Sequence, residues 1–455
     1  MSLLPIRSTI PGLRWPGLPG QSGARLLALQ YQFAQSEWWP EATMSAHQFR
    51  QLESMVAHCT QHMPFWRDRL RTAGIRPGQK LDANTWRRLP ILTREIAQAA
   101  NDRLICSFIP EGHGGVSEGG TTGSTGRPLL FAMTEMANVY RTAINLRNGI
   151  WHQTDPREKL AVVRLSVDDG DRYDLPDWGP GWNDVCHTGP MVGLDVGLPV
   201  PEQAAWLMAE NPTYLRTRTS SLTSLARHFR DTGLTLPRLR SIRTLGEVVT
   251  PDLRQLVRDV FGVGIMDVYS SQEVGFIALQ CPAHEHHHVV SETVRVEVVD
   301  DDDRPCEPGQ TGRVLVSTLH NAAMPLLRYW TGDYAELGPP CSCGRGLPVL
   351  TRIVGRVRDR VIRPDGTYSF AYYGEGHIHE IDAILQHQLV QVSRERMEFH
   401  LVVRRPLTEE EQARMTGWVR DGLRHPFEVG FVYVDDIPRG PGGKFQSFRS
   451  GIEQP

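Results

Sequence analysis

Apolar residues recur along the chain at two spacings, and each spacing predicts a different kind of element. Over residues 45–75 the spacing is helical, with Leu52, Met55 and Val56 on one face, which predicts a packed helix that leads into a turn at Pro64-Phe-Trp. Thr93 stands just ahead of a second helical segment and is a suitable N-cap. The amino-terminal part of the chain is therefore expected to be helical.

Strand-like apolar runs follow at residues 127–133 and 160–165, and helical spacing returns at residues 135–150 and 221–232. Strands that alternate with helices indicate parallel βαβ units rather than an all-β sandwich. The pattern predicts an α/β fold for this part of the chain.

From Thr293 onward the spacing changes to a period of two, in two segments separated by the turn-forming residues 300–312. Such alternation predicts a small antiparallel sheet or barrel packed on the α/β body. A strand at 398–403 and a charged helix at 408–423 follow. These elements are enough for a separate small domain at the carboxyl end.

The composition excludes several classes of function. The chain has 455 residues, a formal net charge of −3 and no long basic block, so neither a nucleic acid nor a membrane surface is an expected partner. No apolar stretch reaches the roughly 18 residues that a membrane span needs, and the first residues lack an apolar signal segment. Seven cysteines are too few for a disulfide scaffold. We expect a globular cytoplasmic protein.

The segment from Val116 to Phe131 combines glycines and hydroxyls in one loop ahead of an apolar run. Glycine permits positive φ and close backbone approach, so successive N–H groups can converge on an anion, and the threonine and serine hydroxyls add donors. No Lys-Ser/Thr pair follows the glycines, so this is not a Walker loop. On local chemistry alone, the loop fits either a phosphate site or a solvated surface connection.

Four further motifs follow the loop in a fixed order. They are Tyr269-Ser-Ser-Gln-Glu-Val-Gly275, Leu327-Arg-Tyr-Trp-Thr-Gly-Asp333, Ile353-Val-Gly-Arg-Val-Arg-Asp359 and Ile437-Pro-Arg-Gly-Pro-Gly-Gly-Lys-Phe445. Together with the loop, they resemble the adenylate-forming superfamily of acyl- and aryl-CoA synthetases, luciferases and adenylation domains. Pro90-Ile-Leu-Thr, Leu245-Gly-Glu-Val and a cysteine pair after the Gly-Asp motif resemble its phenylacetate-CoA ligase-like branch.

The resemblance covers nearly the whole chain and implies its domain organisation. Residues 1–356 would form a large N-terminal domain of doubly wound α/β subdomains with a small antiparallel β-barrel-like subdomain. Residues 357–455 would form a small mobile α+β domain. That domain would carry Lys444, the lysine expected to meet negative charge as it develops near the α-phosphate.

The resemblance also implies a site for ATP and Mg²⁺. The residues that would hold the β- and γ-phosphates are Thr121, Thr122, Gly123, Ser124, Thr125 and Gly126. Glu273 is the carboxylate expected to bind Mg²⁺, which prefers hard oxygen ligands. Lys444, Glu273 and Thr121 would be the catalytic residues.

The same resemblance places the nucleoside. Tyr269 would stack on adenine, and Asp333 would accept hydrogen bonds from the ribose hydroxyls, with Arg356 near the same sugar. The nucleotide-binding set is completed by Glu247, Ser270 and Gln272. The acid pocket would lie between the loop at 178–190, residues 245–247 and Tyr269.

Two motifs depart from the family pattern. Ser270 and Gln272 stand where glycine and threonine are usual, although Gln272 can still donate and accept hydrogen bonds. Arg358 occupies the first aspartate position of the hinge motif, so only Asp359 remains. These differences leave open the second half-reaction, in which the acyl group passes from its adenylate to an acceptor, and they leave the identity of the acceptor open as well.

A cluster of thiols and imidazoles indicates a second metal. Cys281, the histidine run up to His288, Cys341 and Cys343 supply soft or borderline ligands that suit tetrahedral structural Zn²⁺. The resemblance favours Cys281, His288, Cys341 and Cys343, with His287 or His284 as substitutes for His288. The alternative is a solvated histidine loop with idle, reduced cysteines.

Three functions remain in competition. The first is an ATP-dependent, AMP-forming ligase that activates a carboxylic acid, expected to be an aryl acid, and passes the acyl group to the thiol of CoA. The second passes the acyl group to a carrier-protein thiol or an amine. The third is a zinc-stabilised nucleotide-binding protein without turnover. The oligomeric state is open, a homodimer included.

Overall fold

The computed structural model describes residues 5–121, 128–164, 172–356, 360–371, 373, 375–438 and 445–452. The chain divides into two compact units. One comprises Met1–Val249 and Leu256–Ile353, and the other comprises Thr250–Gln255 and Val354–Pro455. In the described part of the chain, no helix has both the length and the apolar character needed to cross a membrane.

The first unit begins with five helices: α1 (Gln21–Ser36), α2 (Glu41–His62), α3 (Pro64–Thr72), α4 (Ala83–Arg87) and α5 (Arg94–Ala100). The helix predicted to lead into a turn at Pro64 is α2, but the expected turn is the start of a second helix, α3. Met63 is extended (φ −126°, ψ 100°), because a residue that precedes proline is disfavoured in the helical region. Thr93 caps α5 as predicted, since its Oγ1 accepts a hydrogen bond from the Ile96 N–H over 3.3 Å.

The α/β part of this unit follows in chain order, except that residues 250–255, which include the start of its last helix, belong to the second unit. Its elements are β1 (Val116–Gly120), β2 (Leu130–Thr134), α6 (Glu135–Trp151), β3 (Leu160–Arg164), β4 (Arg172–Leu175), α7 (Trp182–Val185), β5 (Met191–Asp195), α8 (Val200–Glu210), β6 (Tyr214–Thr217), α9 (Thr219–Thr232), β7 (Ser241–Leu245), α10 (Pro251–Phe261) and β8 (Gly264–Ser271). The predicted parallel pairing is confirmed, because β5, β3, β6, β7 and β8 pair in parallel in that order.

The predicted antiparallel strands are also present. They are β9 (Gly275–Gln280), β10 (His287–Val289), β11 (Val294–Val299), β12 (Thr311–Thr318), β13 (Tyr329–Leu337) and β14 (Val349–Arg356). They continue the parallel strands in one 12-stranded sheet of order β11-β12-β13-β14-β10-β9-β8-β7-β6-β3-β5-β4. Helix α6 packs on one face of this sheet and buries Ala143, Ile144 and Leu146 there.

A buried ion network ties α1 and α6 to the antiparallel strands. Arg147 of α6 makes hydrogen bonds of 2.8 and 2.7 Å with both oxygens of Glu292 and lies 3.5 Å from the carboxylate of Glu37. Arg345 lies 3.4 Å from the same Glu37 carboxylate. The Gly346 N–H donates to the carbonyl oxygen of Glu37 over 2.9 Å.

The second unit contains β15 (Arg360–Ile362), β16 (Tyr368–Phe370), β17 (Ile384–Gln391), β18 (Arg396–Val403), α11 (Glu409–Leu423), β19 (Glu428–Tyr433) and β20 (Phe448–Ser450). Its main sheet has the order β19-β18-β17-β20. The predicted charged helix is confirmed and begins with a capping box, in which Thr408 and Glu411 each accept a backbone hydrogen bond from the other. Phe399, Met415 and Phe427 are buried in its core.

Candidate active site

The base of the glycine loop is fixed by Thr121 and Leu129. The Thr121 N–H donates to the Leu129 carbonyl over 2.9 Å, and the Leu129 N–H donates to Thr121 Oγ1 over 2.9 Å. Strands β1 and β2 pair immediately outside this point. The predicted phosphate-binding residues Thr122, Gly123, Ser124, Thr125 and Gly126 lie outside the described residues.

Arg94 joins the loop to the predicted magnesium carboxylate. Its Nη2 donates to Thr121 Oγ1 over 2.6 Å, and its Nη1 lies 3.8 Å from Oε1 of Glu273. Glu273 follows β8 in the turn to β9 and is only 5% exposed. Arg94 was not among the predicted site residues, although it directly follows the Pro90-Ile-Leu-Thr segment.

Tyr329 supplies a second contact to the same carboxylate. Its hydroxyl donates to Glu273 Oε1 over 3.0 Å. Burial, and then the negative charge of Glu273, raise the pKa of Tyr329 well above its ordinary value, so the phenol remains a donor throughout the neutral range. Tyr329 also was not predicted, although it lies inside the motif that ends at Asp333.

Tyr269 and Asp333 meet at the predicted nucleoside site. The Tyr269 hydroxyl donates to Asp333 Oδ2 over 2.8 Å and lies 3.3 Å from Thr331 Oγ1. Both side chains are more than nine-tenths buried. Gly332 has φ +81°, a conformation that favours glycine, so the Thr-Gly-Asp order is what lets the strand present Asp333 here.

Three further residues of this unit, Ser270, Gln272 and Glu247, were predicted to bind the nucleotide. A register shift between Tyr269 and Ser270 interrupts the pairing of β8 with β9, and Gln272 is exposed in the following turn. Glu247 accepts hydrogen bonds of 2.7 Å from the Ser220 N–H and 3.2 Å from its hydroxyl. The carboxylate of Glu247 therefore caps the first turn of α9, where negative charge is stabilising.

Two predicted residues belong to the carboxyl-terminal part of the chain. Arg356 is the last residue of β14 and falls in the second unit. Lys444 lies outside the described residues, as do Arg358 and Asp359 of the hinge motif.

The cysteine and histidine cluster is assembled by two neighbouring loops. Ligand atoms of Cys281, His286, His288 and Cys341 all lie within 4.8 Å of one another. The Sγ atoms of Cys281 and Cys341 are 3.9 Å apart, and Cys343 Sγ is 3.4 Å from His288 Nε2. Tetrahedral zinc with ordinary bond lengths would require about 3.8 Å between two sulfurs and about 3.6 Å between sulfur and nitrogen.

The tautomer of His288 suits a metal ligand. Its Nδ1 is 3.3 Å from the Leu347 carbonyl oxygen, so Nδ1 is the donor and Nε2 points toward the thiols. Burial, opposed by this hydrogen bond, lowers the pKa of His288 to about 4, and the ring is neutral at neutral pH. A neutral imidazole is the form that binds a metal.

The prediction allowed His287 or His284 to replace His288, but the structure brings a different histidine into the cluster. His286, which was not predicted, is in the cluster, with Nε2 3.0 Å from Cys341 Sγ. His287 instead places Nε2 3.2 Å from Asp267 Oδ2, and His284 contacts Ser342 Oγ over 2.9 Å. His287 and His288 are neighbours on β10, and neighbours on a strand point to opposite faces of the sheet. His287 is therefore turned away from the cluster.

Known proteins of similar sequence are phenylacetate-coenzyme A ligases. The protein of Thermus thermophilus is 25% identical over 367 residues, which cover 79% of this chain and 80% of that protein. The protein of Escherichia coli is 22% identical over 435 residues, which cover 88% and 93% of the two chains. The chain is related to the phenylacetate-CoA ligase-like branch of the adenylate-forming superfamily.

Solved structures support the same fold. A 2-hydroxyisobutyryl-CoA ligase in its postadenylation state matches with a TM-score of 0.73 and 17% identity, over 92% of this chain and 91% of that one. An anthranilate CoA ligase bound to anthranoyl-AMP matches with a TM-score of 0.55 and 14% identity, over 72% and 65% of the two chains. No protein-family model matches the chain. The expected α/β architecture of adenylate-forming ligases is confirmed.

Proposed function

We propose that the protein is an ATP-dependent, AMP-forming carboxylic acid ligase that transfers the activated acyl group to the thiol of CoA. The observation that carries the proposal is the hydrogen bond of 2.8 Å between Tyr269 and Asp333, which unites two motifs that are distant in sequence. The relationship to phenylacetate-CoA ligases supports the same reaction.

The first half-reaction forms the acyl-adenylate. A carboxylate oxygen of the acid attacks the α-phosphorus of ATP, a new P–O bond forms, and the bond to the β-phosphate breaks with release of pyrophosphate. The barrier consists largely of alignment and accumulated negative charge. Arg94, which contacts both Thr121 and Glu273, would place a positive charge beside the phosphates.

Mg²⁺ is expected at Glu273. Among the described residues the contacts of this carboxylate, from Tyr329 and Arg94, go to Oε1, and Glu273 would hold the metal. Mg²⁺ is commonly held by one or two carboxylates together with substrate phosphates and water, so a single buried carboxylate fits. The ion would neutralise charge on the phosphates during transfer.

The nucleoside would be held by the Tyr269 and Asp333 pair, through stacking on adenine and hydrogen bonds from the ribose hydroxyls. Arg356 would approach the same sugar. Lys444, which belongs to the small domain predicted over residues 357–455, would act near the α-phosphate.

The second half-reaction forms the thioester. The sulfur of CoA attacks the acyl carbon, the bond to AMP breaks, and the thiol proton is lost to solvent or a base. A 2-hydroxyisobutyryl-CoA ligase of the same fold has been solved with CoA and an acyl-adenylate. Arg358 in the hinge motif keeps a second candidate open, in which a carrier-protein thiol or an amine accepts the acyl group.

We also propose a structural Zn²⁺ bound by Cys281, His288, Cys341 and one further ligand. His286 and Cys343 compete for the fourth position, since each lies near one of the other three. The 3.9 and 3.4 Å separations described above support a closed tetrahedral site. Bound zinc would hold the thiols as thiolates, because a coordinating thiol loses its proton outright.

Pyrophosphate exchange against a panel of aryl, fatty and amino acids tests the proposal. Acid-dependent exchange followed by CoA thioester formation is the expected result. Exchange without thioester formation would favour the carrier or amine route. No exchange with any acid, from a protein that still binds ATP, would overturn the enzymatic function and favour a nucleotide-binding protein.

A further inference from the structure

Two arginines face α6 from the parallel strands of the sheet. Arg216 of β6 and Arg243 of β7 are register partners, and Nη1 of Arg243 donates to Asn145 Oδ1 of α6 over 2.6 Å. Both side chains are half-buried. They lie toward the carboxyl ends of parallel strands, where α/β sheets bind their ligands.

Aromatic side chains stand on the strands that carry or flank these two arginines. Arg243 lies 5.8 Å from the ring centroid of Phe276. Tyr214, two residues before Arg216 on β6, contacts Trp178 with ring centroids 5.8 Å apart. The Tyr173 ring covers Gly193 in the same cross-strand row, where no side chain larger than hydrogen would fit. The ring of Phe276 therefore flanks Arg243, and Tyr173 stands in the cross-strand row that contains both arginines.

Neither arginine has a carboxylate within ion-pair distance among the residues that the structure describes. The Nε atom of Arg243 is buried without a hydrogen-bond partner there. Burial, and then the nearby charge of Arg216, lower the pKa of Arg243 to about 9. Burial and the charge of Arg164 likewise lower the pKa of Arg216.

Three other arginines of this unit that are buried or half-buried have carboxylate partners. Arg147 has Glu292, Arg328 has Glu297 and Arg345 has Glu37 within 3.4 Å. Buried charge without a partner is costly, so such groups are normally paired. Arg295 is also half-buried without an ion pair among the described residues, but Arg243 and Arg216 are two such cations side by side. One anion bound between them would neutralise both.

The arginines stand at the end of the proposed acid pocket that lies away from the nucleoside residues. Arg243 stands two residues before Leu245, and its register partner on β8 is Met266, three residues before Tyr269. Three residues of extended strand span roughly 10 Å. The arginines are thus set back from the nucleoside residues, where the reacting carboxylate must meet ATP.

We propose that Arg243 and Arg216 bind a second anionic group of the acid substrate. The preferred acid would carry one carboxylate for adenylation and another negative charge at its far end, as an aromatic dicarboxylic acid does. This inference rests on the proposed ligase function and names the substrate class of the same site.

The test compares acids that differ only in the remote charge. Terephthalate and its monomethyl ester, which lacks one charge, are assayed by pyrophosphate exchange with wild-type enzyme and with R243M, R216M and the control R230M. Arg230 is an exposed arginine at the end of α9, paired with Asp231. We expect wild type and R230M to prefer terephthalate roughly 30-fold or more, because truncating one partner of a buried charge pair costs that much.

In R243M the preference should fall at least tenfold, while exchange with the monoester is retained or rises. R243M should be at least as stable as wild type without ligand, because the substitution removes a buried charge. An equal or better use of the monoester by wild type, or an unchanged preference in R243M, would overturn the inference.

A binding measurement separates this inference from the proposed reaction. Terephthalate should raise the thermal midpoint of wild type more than the monoester does, and R243M should lose the difference. If that pattern appears without pyrophosphate exchange, the anion site stands and the ligase reaction fails. If exchange occurs but terephthalate has no advantage in either assay, the ligase stands and the anion site is wrong.

Discussion

Tyr329 donates its phenolic hydrogen to Oε1 of Glu273 across 3.0 Å, so a buried neutral hydroxyl orients the carboxylate proposed for magnesium. Tyr329→Phe should therefore weaken the use of Mg²⁺ by roughly tenfold, the lower range for loss of a group that orients a metal ligand. The measurement is pyrophosphate exchange as a function of Mg²⁺ at fixed ATP.

Tyr31→Phe is the matched control, because Tyr31 is 72% exposed on α1. The effect of Tyr329→Phe should be constant between pH 6 and 9, since the raised pKa of Tyr329 keeps its hydroxyl protonated. An unchanged Mg²⁺ dependence, with stability alone reduced, would contradict the orienting role.

Asp333→Asn should lower kcat/KM for ATP by roughly 10- to 100-fold, because hydrogen bonds to a charged acceptor are stronger than those to a neutral one. Tyr269→Phe keeps the ring and removes only the donor to Asp333, so its effect should be much smaller. Asp302→Asn, at an exposed turn, controls for charge. Equal effects of Asp333→Asn and Asp302→Asn would rule out ribose binding by Asp333.

Lys444→Ala should reduce acyl-adenylate formation by about 100-fold or more, because it removes a cation from the developing charge. ATP binding, measured by calorimetry, should change little. Lys80→Ala is the control, since Lys80 is an exposed lysine of the amino-terminal region. A fully active Lys444→Ala enzyme would exclude the assigned role.

Metal analysis of the purified protein should find close to one equivalent of zinc. A zinc content under roughly a tenth of an equivalent would contradict the zinc proposal. His286→Ala and Cys343→Ala decide the fourth ligand, because only the true ligand should reduce zinc content and thermal stability strongly. His284→Ala is the control and should keep its zinc, since that ring contacts Ser342.

Glu292→Gln should be less stable than wild type by about 3 kcal/mol at pH 7, because it breaks a buried ion pair. Burial raises the pKa of Glu292, but the charge and hydrogen bonds of Arg147 and the Ser36 hydroxyl outweigh burial and hold it below the ordinary value. The carboxylate therefore stabilises the fold above about pH 4.3, and this stabilisation is lost as the pH falls through the lowered pKa.

The difference in urea midpoint between wild type and Glu292→Gln should consequently narrow as the pH falls from 7 toward 3. Glu307→Gln, at an exposed position, should show no such difference. A deficit that grows in acid would show that another group controls the effect.

The sequence predicted the elements well where local chemistry decides them. Thr93 and Thr408 are followed by helices because their hydroxyls cap the first turn. The helix ahead of Pro64 was predicted from its apolar spacing, but the Pro64-Phe-Trp segment was predicted as a turn, whereas it begins the second helix after the extended Met63.

Site residues were harder to predict where they depend on contacts distant in sequence. Arg94 gains its role from Thr121 and Glu273, which no local pattern connects to it. His287 and His288 are adjacent and identical in type, so only the facing of β10 separates a candidate metal ligand from a partner of Asp267. Arg243 lies two residues before the Leu245-Gly-Glu-Val motif and is not part of any motif.

The contacts of Glu37 have a consequence for how the protein opens. This residue follows α1 and accepts the Gly346 N–H next to the cysteine loop, while its carboxylate faces Arg147 and Arg345. Proteins open locally in cooperative foldons, and these buried contacts join the end of α1 to the cysteine loop. Removing the metal should therefore speed exchange in α1 as well as around the cysteines, although α1 supplies no ligand.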